Sequence, residues 1–404
     1  MWSYLKIELS KFFTNKKNIA IYVLLTSFAV YYALRVAPEY DPIEKVNINE
    51  IEANYLTREE FLIIREGKDS SSSHPAIQYA MAIFPQWNEY ELQRMKALQA
   101  KDLKEYTRVT SEWYLYTDSL TYTGGFYYYN PRYYNYGNLY AHEEGHRAYL
   151  ATSARYEKYA EMDSEELTLE VLEEFTAIQT LYRLMEDYLP YVFLVALLLL
   201  SVDIVLQDKK YPTLLRGYPI ADWKKLLIKG VTSFIGGLAL FIPILIGYIL
   251  IGIQFGFGSL KLPIPVFEPS GEFGTIAGYK TIPIYSYFAQ TGALLLGFFA
   301  LIIAIVLLLS VVFRTEILNL IAGLGFIASE AIYYERGNGY LYAVENYIPT
   351  YLQVSHVVTN TKNSFYDSTG IELSKGLMLV GSCTILLLVI TLLISLSKRY
   401  KFIR

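Results

Sequence analysis

One cysteine in 404 residues leaves no partner for an intrachain disulfide. Cys383 also sits inside an apolar run, so a cysteine-based metal site is excluded with it. Charge is scarce as well: 18% of residues are Asp, Glu, Lys or Arg, against about 25% in an ordinary soluble domain. The deficit is concentrated in a few long apolar runs, which marks a membrane protein rather than a greasy globule. No basic patch stands clear of those runs, and this argues against a nucleic-acid partner. The pattern G-x-x-x-x-G-K-[ST] is absent, so no Walker-type loop cradles nucleotide phosphates. The first apolar run lacks a small-residue cleavage site and reads as a retained span rather than a signal peptide.

What is present is apolar length. A bilayer core of about 30 Å needs roughly 20 apolar residues in a helix, and six stretches approach this: Ile19–Val36, Leu189–Leu206, Val231–Ile253, Tyr287–Val312, Ile317–Tyr334 and Gly376–Leu396. Their flanks carry Lys and Arg unequally. One side collects fifteen, from Lys6, Lys11, Lys16 and Lys17 through Lys209–Lys229 and Arg314 to the tail Lys398–Arg404. The short loops of the other side hold five: Lys261, Lys280, Arg336, Lys362 and Lys375. The positive-inside rule then puts both termini in the cytoplasm of a bacterial plasma membrane. The expected fold is an all-α polytopic membrane protein of six spans. Residues 1–36 form an interfacial helix and the first span, 37–187 a mostly helical extracellular domain, and 188–404 spans two to six.

The 37–187 segment is acidic, with 27 Asp and Glu against 14 Lys and Arg, while the remaining 253 residues carry 12 and 21. Thr57–Arg65 and Glu89–Thr110 read as helices. Ser164–Asp187 has apolar residues at helical spacing and predicts one long helix capped by Ser164, running into the second span with a kink at Pro190. Between them, Tyr114–Tyr140 holds ten tyrosines among turn-forming Gly124, Gly125, Asn130 and Pro131. It is either a packed loop of phenol rings or a surface for a peptide or glycan.

The N-terminal stretch places Trp2, Leu5, Leu9, Phe12 and Phe13 on one helical face, the pattern of a helix lying in the membrane interface and touching lipid. After the second span, residues 207–230 form a cytoplasmic loop that includes a short apolar helix ended by glycine and proline. Apolar residues held toward the cytoplasm imply a partner. An interfacial helix, six spans and this loop together resemble the permease subunits of type 2 ABC exporters, the class that moves drugs, polysaccharides and bacteriocins. In that family the loop commonly reads acid, Gly-Thr, a leucine pair and Pro-hydrophobic-Ser-Arg. Here Asp208, Thr213, Leu214, Leu215 and Pro219 match it, followed by Trp223, while Pro212 replaces the glycine and Ala221-Asp222 the Ser-Arg. Asn346–Leu352 also resembles the family's extracellular re-entrant region.

The resemblance covers roughly 1–36 and 188–404 and leaves the 37–187 domain without a counterpart. It implies no cofactor in this chain, ATP and Mg on a separate cytoplasmic ATPase docked at the loop, and a second permease chain, identical or sister, completing a dimer. The substrate expected is an amphipathic peptide.

Two further patterns bear on chemistry. His142-Glu143-Glu144-Gly145-His146 is a literal H-E-x-x-H, in which the two histidines could hold zinc, Glu143 act as base, and Glu161, Glu165 or Glu166 complete the site. That is the basis of an alternative, a membrane-anchored metalloprotease. Against it, Glu144 and Arg147 bring charges where the motif usually has none, and catalysis by this chain itself is not the expectation. A non-transporting receptor with an extracellular sensing domain is the other alternative. Asp203 and Glu330 are the acidic residues within the apolar stretches, and such groups often mark a transport pathway.

Overall fold

A computed structural model describes residues 2–67, 74–124, 127–207, 220–269 and 278–396. It is mostly helical and divides into two compact units. A membrane unit comprises Met1–Pro38, Thr180–Phe257 and Tyr287–Arg404; an inserted unit comprises Glu39–Gln179 and Gly258–Ser286. The 37–187 segment thus yields its last residues to the membrane unit, and the inserted unit takes in a second piece of chain from beyond the third apolar run.

In chain order the helices begin with α1 (Trp2–Thr14), α2 (Lys16–Tyr31), α3 (Ile48–Arg65), α4 (Pro75–Gln99), α5 (Leu103–Gly124) and α6 (Ala141–Glu161). Next come α7 (Leu169–Leu172), α8 (Ala177–Glu186), α9 (Leu189–Ser201), α10 (Asp222–Ala239) and α11 (Phe241–Phe255). A hairpin of β1 (Pro263–Glu268) and β2 (Gly278–Pro283) precedes α12 (Ile284–Val312), α13 (Glu316–Ile327) and α14 (Glu330–Tyr333). Last are α15 (Gly339–Tyr342), α16 (Val354–Val358), α17 (Thr361–Tyr366) and α18 (Leu373–Leu396).

Four helices among the described residues are long and apolar enough to cross a membrane: Lys16–Glu39, Asp222–Phe255, Ile284–Val312 and Leu373–Leu396. A fifth is available only if Leu169–Glu186 and Leu189–Ser201, which meet at 70°, count as one broken span. Glu316–Ile327 has 12 residues, short of the roughly 20 that a straight crossing needs. The six expected spans therefore resolve into four full-length helices, one bent pair and one short helix. Helix α12 lies at the centre of the membrane unit, with Leu294, Leu295, Phe298 and Phe299 fully buried. Helices α2 and α18 are mostly exposed, with Leu24, Phe28, Ile385 and Leu393 uncovered; this is the surface that lipid tails would cover.

In the inserted unit α3 packs on α4, α4 on α5 and α5 on α6. The expected helix Glu89–Thr110 is in fact two. Lys101 takes a left-handed φ of 57°, so its N–H reaches the Leu98 carbonyl (3.1 Å) and that of Asp102 the Ala97 carbonyl (2.9 Å). Those two bonds close a Schellman motif, usually the work of glycine. The Asp102 carboxylate then accepts from the Glu105 N–H at 3.0 Å and starts α5.

The expected continuous helix Ser164–Asp187 is likewise broken. Thr168, not Ser164, caps α7 through the Val171 N–H, and Glu174 at φ 59° ends that short turn before α8 begins. The tyrosine-rich stretch starts inside α5, and its buried members form cores. Tyr114, Tyr129 and Tyr149 pack together with Trp113, Tyr133 and Tyr134 around them. Ile83, Trp87 and Leu120 pack with Tyr79, Phe84 and Tyr127. Tyr128 alone of the first seven stands almost fully exposed, at 93%.

The hairpin pairs antiparallel from Pro263 opposite Pro283 to Glu268 opposite Gly278, and both strands lie on α6. Three prolines are tolerated in it because each strand of a two-stranded ribbon is an edge, where a missing N–H need not break a ladder. Ile264, Val266 and Phe267 are buried, and the Arg147 guanidinium sits 5.5 Å from the Phe267 ring centre.

Candidate functional site

Helix α1 packs against α10 with Tyr4, Glu8 and Phe12 buried, one residue per turn. Of the residues expected on an apolar interfacial face, Phe12 is turned into this contact, Leu5 and Leu9 are half-buried, and Trp2 and Phe13 are exposed. An ion pair closes the contact. Lys229 on α10, 1% exposed, donates to Glu8 Oε2 at 2.8 Å and to the Ile204 carbonyl at 2.9 Å. Lys11 adds a contact to Glu8 Oε1 at 3.2 Å. Burial pushes the Glu8 carboxyl up, but Lys229 and Lys11 outweigh it and hold it below the usual carboxylate range. Phe12 seats in a notch left by Gly236, where a Cβ would come 2.3 Å from the Phe12 ring.

Asn15 separates α1 from α2 and caps α2 through the Lys17 N–H at 3.0 Å. Buried Asn18 donates back to the Phe12 carbonyl at 2.9 Å. The Lys17 ammonium reaches Asp203 at 2.5 Å and the Leu199 carbonyl at 2.6 Å, and Gln207 donates to the other Asp203 oxygen at 2.8 Å. Two lysines thus join α1 and α2 to the chain that follows α9 and to α10.

Of the expected coupling residues, Asp208, Thr213, Leu214, Leu215 and Pro219 lie outside the described residues. Trp223 lies in the first turn of α10, half-buried, with the Lys224 ammonium 5.3 Å from its ring centre. Asp203 and Glu330 are not brought into one site. Asp203 belongs to the Lys17 cluster. Buried Glu330 is ion-paired with buried Lys362 and accepts from the Tyr366 hydroxyl at 3.0 Å. That second cluster pins α14 to α17 within a run of short helices, Glu330–Tyr366, that includes the Asn346–Leu352 stretch. Neither the Glu8–Lys229 pair nor the Glu330–Lys362 pair was legible in the sequence, because each partner lies in a different segment.

The H-E-x-x-H residues open α6. The His146 Nδ1 lies 2.8 and 2.9 Å from the two Asp118 oxygens, and Tyr129 donates to the same carboxylate at 2.7 Å. The Tyr122 ring stacks on both imidazoles, 4.8 Å from His142 and 3.9 Å from His146. Glu143 pairs with Arg147 at 3.8 Å and Glu144 accepts from the Asn135 N–H at 2.8 Å. Glu161 closes the same helix, roughly 22 Å from His146 at about 1.5 Å per residue. Among the described residues no group of three or more His, Cys, Asp or Glu is placed to hold a metal ion. Asp118 thus holds the His146 Nδ1, and Tyr122 packs on the rings of both histidines.

Gly145, the motif's fourth residue, lies under Tyr129, whose Cγ would be 2.2 Å from an added Cβ. Gly145→Ala gains helix propensity of about 1 kcal/mol but must displace a buried ring, costing roughly 1–3 kcal/mol. A net loss is expected, read as a lower unfolding temperature; an unchanged or raised one would show that Tyr129 can move aside freely.

Searches of family models, curated proteins and solved structures return no match to this chain. Fold and composition define its class, a mostly helical protein with four described helices long and apolar enough to cross a membrane.

Proposed function

We propose that this chain is the permease subunit of an ATP-driven exporter of the type 2 ABC class, moving an amphipathic peptide or similar substrate out of a bacterial cell. In this reading both termini and the 207–230 loop face the cytoplasm and the inserted unit lies outside. The bent α8–α9 pair serves as the second span, and α13 with α14 as the fifth. A cytoplasmic ATPase carrying ATP and Mg docks at the loop, and a second permease chain, identical or sister, completes the pathway.

The observation that carries the reading is the Lys229 clamp. A permease without a phosphate-binding loop must take its driving force from another chain through packed contacts. Lys229 ties α1, the Ile204 carbonyl and α10 together, and Ile204 and α10 flank the segment resembling the family's coupling loop. A push on that segment would therefore reach three elements at once rather than be absorbed by one. The fifteen-to-five Lys and Arg asymmetry supports the orientation.

The test is co-purification. An affinity-tagged chain should bring down a P-loop ATPase, and Leu214→Asp with Leu215→Asp should abolish that association and export while leaving membrane insertion intact. Each leucine buried in a partner groove is worth roughly 1.5–3 kcal/mol, so losing both should weaken association by a factor of about 100 or more. Normal export by the double variant with its ATPase still bound would defeat the proposal.

A further inference from the structure

The inserted unit carries a pocket of about 320 Å³ between the C-terminal end of α6, the turn that follows it and the hairpin. Its size sits at the lower end of small-ligand sites. Met162, Pro263, Ile282 and Pro283 supply apolar walls. The charged lining is mixed: Lys158 and Glu161 pair with each other at 2.8 Å. The side chains of Asp163, Glu166 and Lys261 have no ion-pair or hydrogen-bond partner among the described residues.

Chemistry narrows what fits. Three carboxylates against two lysines disfavour a phosphate or other simple anion. The absence of any aromatic ring from the lining removes the usual platform for a sugar. A divalent cation is not served, since no carboxylate group here is arranged as a metal site. A lipid tail would leave the charges without partners. What remains is a ligand with an aliphatic part, a cationic group and a carboxylate.

We propose that this pocket binds the end of a short peptide. Its aliphatic side chain lies against Met162, Pro263 and Ile282, its cationic group meets Asp163 and Glu166, and its carboxylate meets Lys261. The binding stands by itself. Its use in presenting or releasing exported peptide rests on the permease reading.

The probe is a dipeptide of lysine and leucine with free termini, titrated by calorimetry against the full chain in lipid nanodiscs without any ATPase. Saturable binding is expected. Asp163→Asn with Glu166→Gln should weaken it about tenfold or more, the effect of losing a charge-assisted contact. Lys261→Ala should weaken the free-carboxylate peptide by a similar factor but leave its C-terminal amide unaffected. These positions are surface charges, so unfolding temperatures should match the parent and exclude a folding defect. No saturable binding, or binding that all variants share with the parent, would overturn the site. Because no ATPase is present, that outcome would leave the permease reading standing, and loss of ATPase co-purification would leave the pocket standing.

Discussion

Lys229→Met is expected to destabilise the membrane unit by about 3–5 kcal/mol, because it leaves the Glu8 carboxylate buried with only the weaker Lys11 contact. Glu8 is 3% exposed and Lys229 1%, so neither charge can recover its water by a small rotation. The carbonyl of Ile204 also loses its donor. The effect should appear as a large fall in thermal unfolding temperature in detergent and as easier proteolysis within α1. Combining Lys229→Met with Glu8→Gln should restore most of the loss, since a buried pair replaced by neutral groups is often close to neutral in stability. If Lys229→Met alone unfolds like the parent, water reaches Glu8 and the clamp is not a dry one.

The second large effect is expected in the inserted unit at Arg155. Its guanidinium meets Glu44 Oε2 at 3.0 Å and is also paired with Glu174. Tyr133 and Thr152 donate to the other Glu44 oxygen at 2.8 and 3.0 Å. All three charged side chains are only 10–13% exposed. Burial pushes the Glu44 carboxyl up, but Arg155 and these hydrogen bonds outweigh it and leave it below its ordinary value of 4.5.

A lowered folded-state value means that the unfolded chain binds its proton first. The Glu44 contribution is therefore complete above pH 4.5 and is lost as pH falls through the folded value below that. Arg155→Met removes the counter-charge from two nearly buried carboxylates and should cost on the order of 3 kcal/mol or more at neutral pH. It should also weaken the local pH response. With burial then opposed only by the Tyr133 and Thr152 hydrogen bonds, the folded-state value rises above that of the parent, so acidification from neutral pH should cost the variant less stability than it costs the parent. Unfolding temperatures measured from about pH 4 to 8 for both proteins decide the matter. Parallel curves would mean that Arg155 does not set the Glu44 charge.

The long apolar stretches were readable because membrane length is written in composition, and α1 was readable because its period is local. Helix breaks were harder. Lys101 and Glu174 end helices in a conformation that usually advertises itself with glycine, so the chain gave no sign there. The hairpin was hidden by its own prolines and by its lack of a partner in neighbouring sequence. Its strands take their sense from α6, more than a hundred residues upstream in the chain. The candidate site was legible only as a motif resemblance and a charge asymmetry. Its working contacts, Glu8 with Lys229 and Lys17 with Asp203, join residues whose separation no periodicity can announce. The same holds for the H-E-x-x-H string, where spacing alone suggested a metal and nothing in it announced the contacts with Asp118 and Tyr122.

The inserted unit is built from two pieces of chain, Glu39–Gln179 and Gly258–Ser286, with α9, α10 and α11 made between them. On a ribosome adding roughly 5–20 residues per second, helix α6 exists for some seconds before β1 and β2 emerge. During that interval the side of α6 that the hairpin later covers is bare. A nascent chain stopped just after Gly256 would carry a helical insert with an open flank on α6, vulnerable to proteases and to sticking. Biogenesis thus has an order written into it. The third apolar run must be delivered before the first large segment can close, and that closure reports that synthesis has passed residue 283.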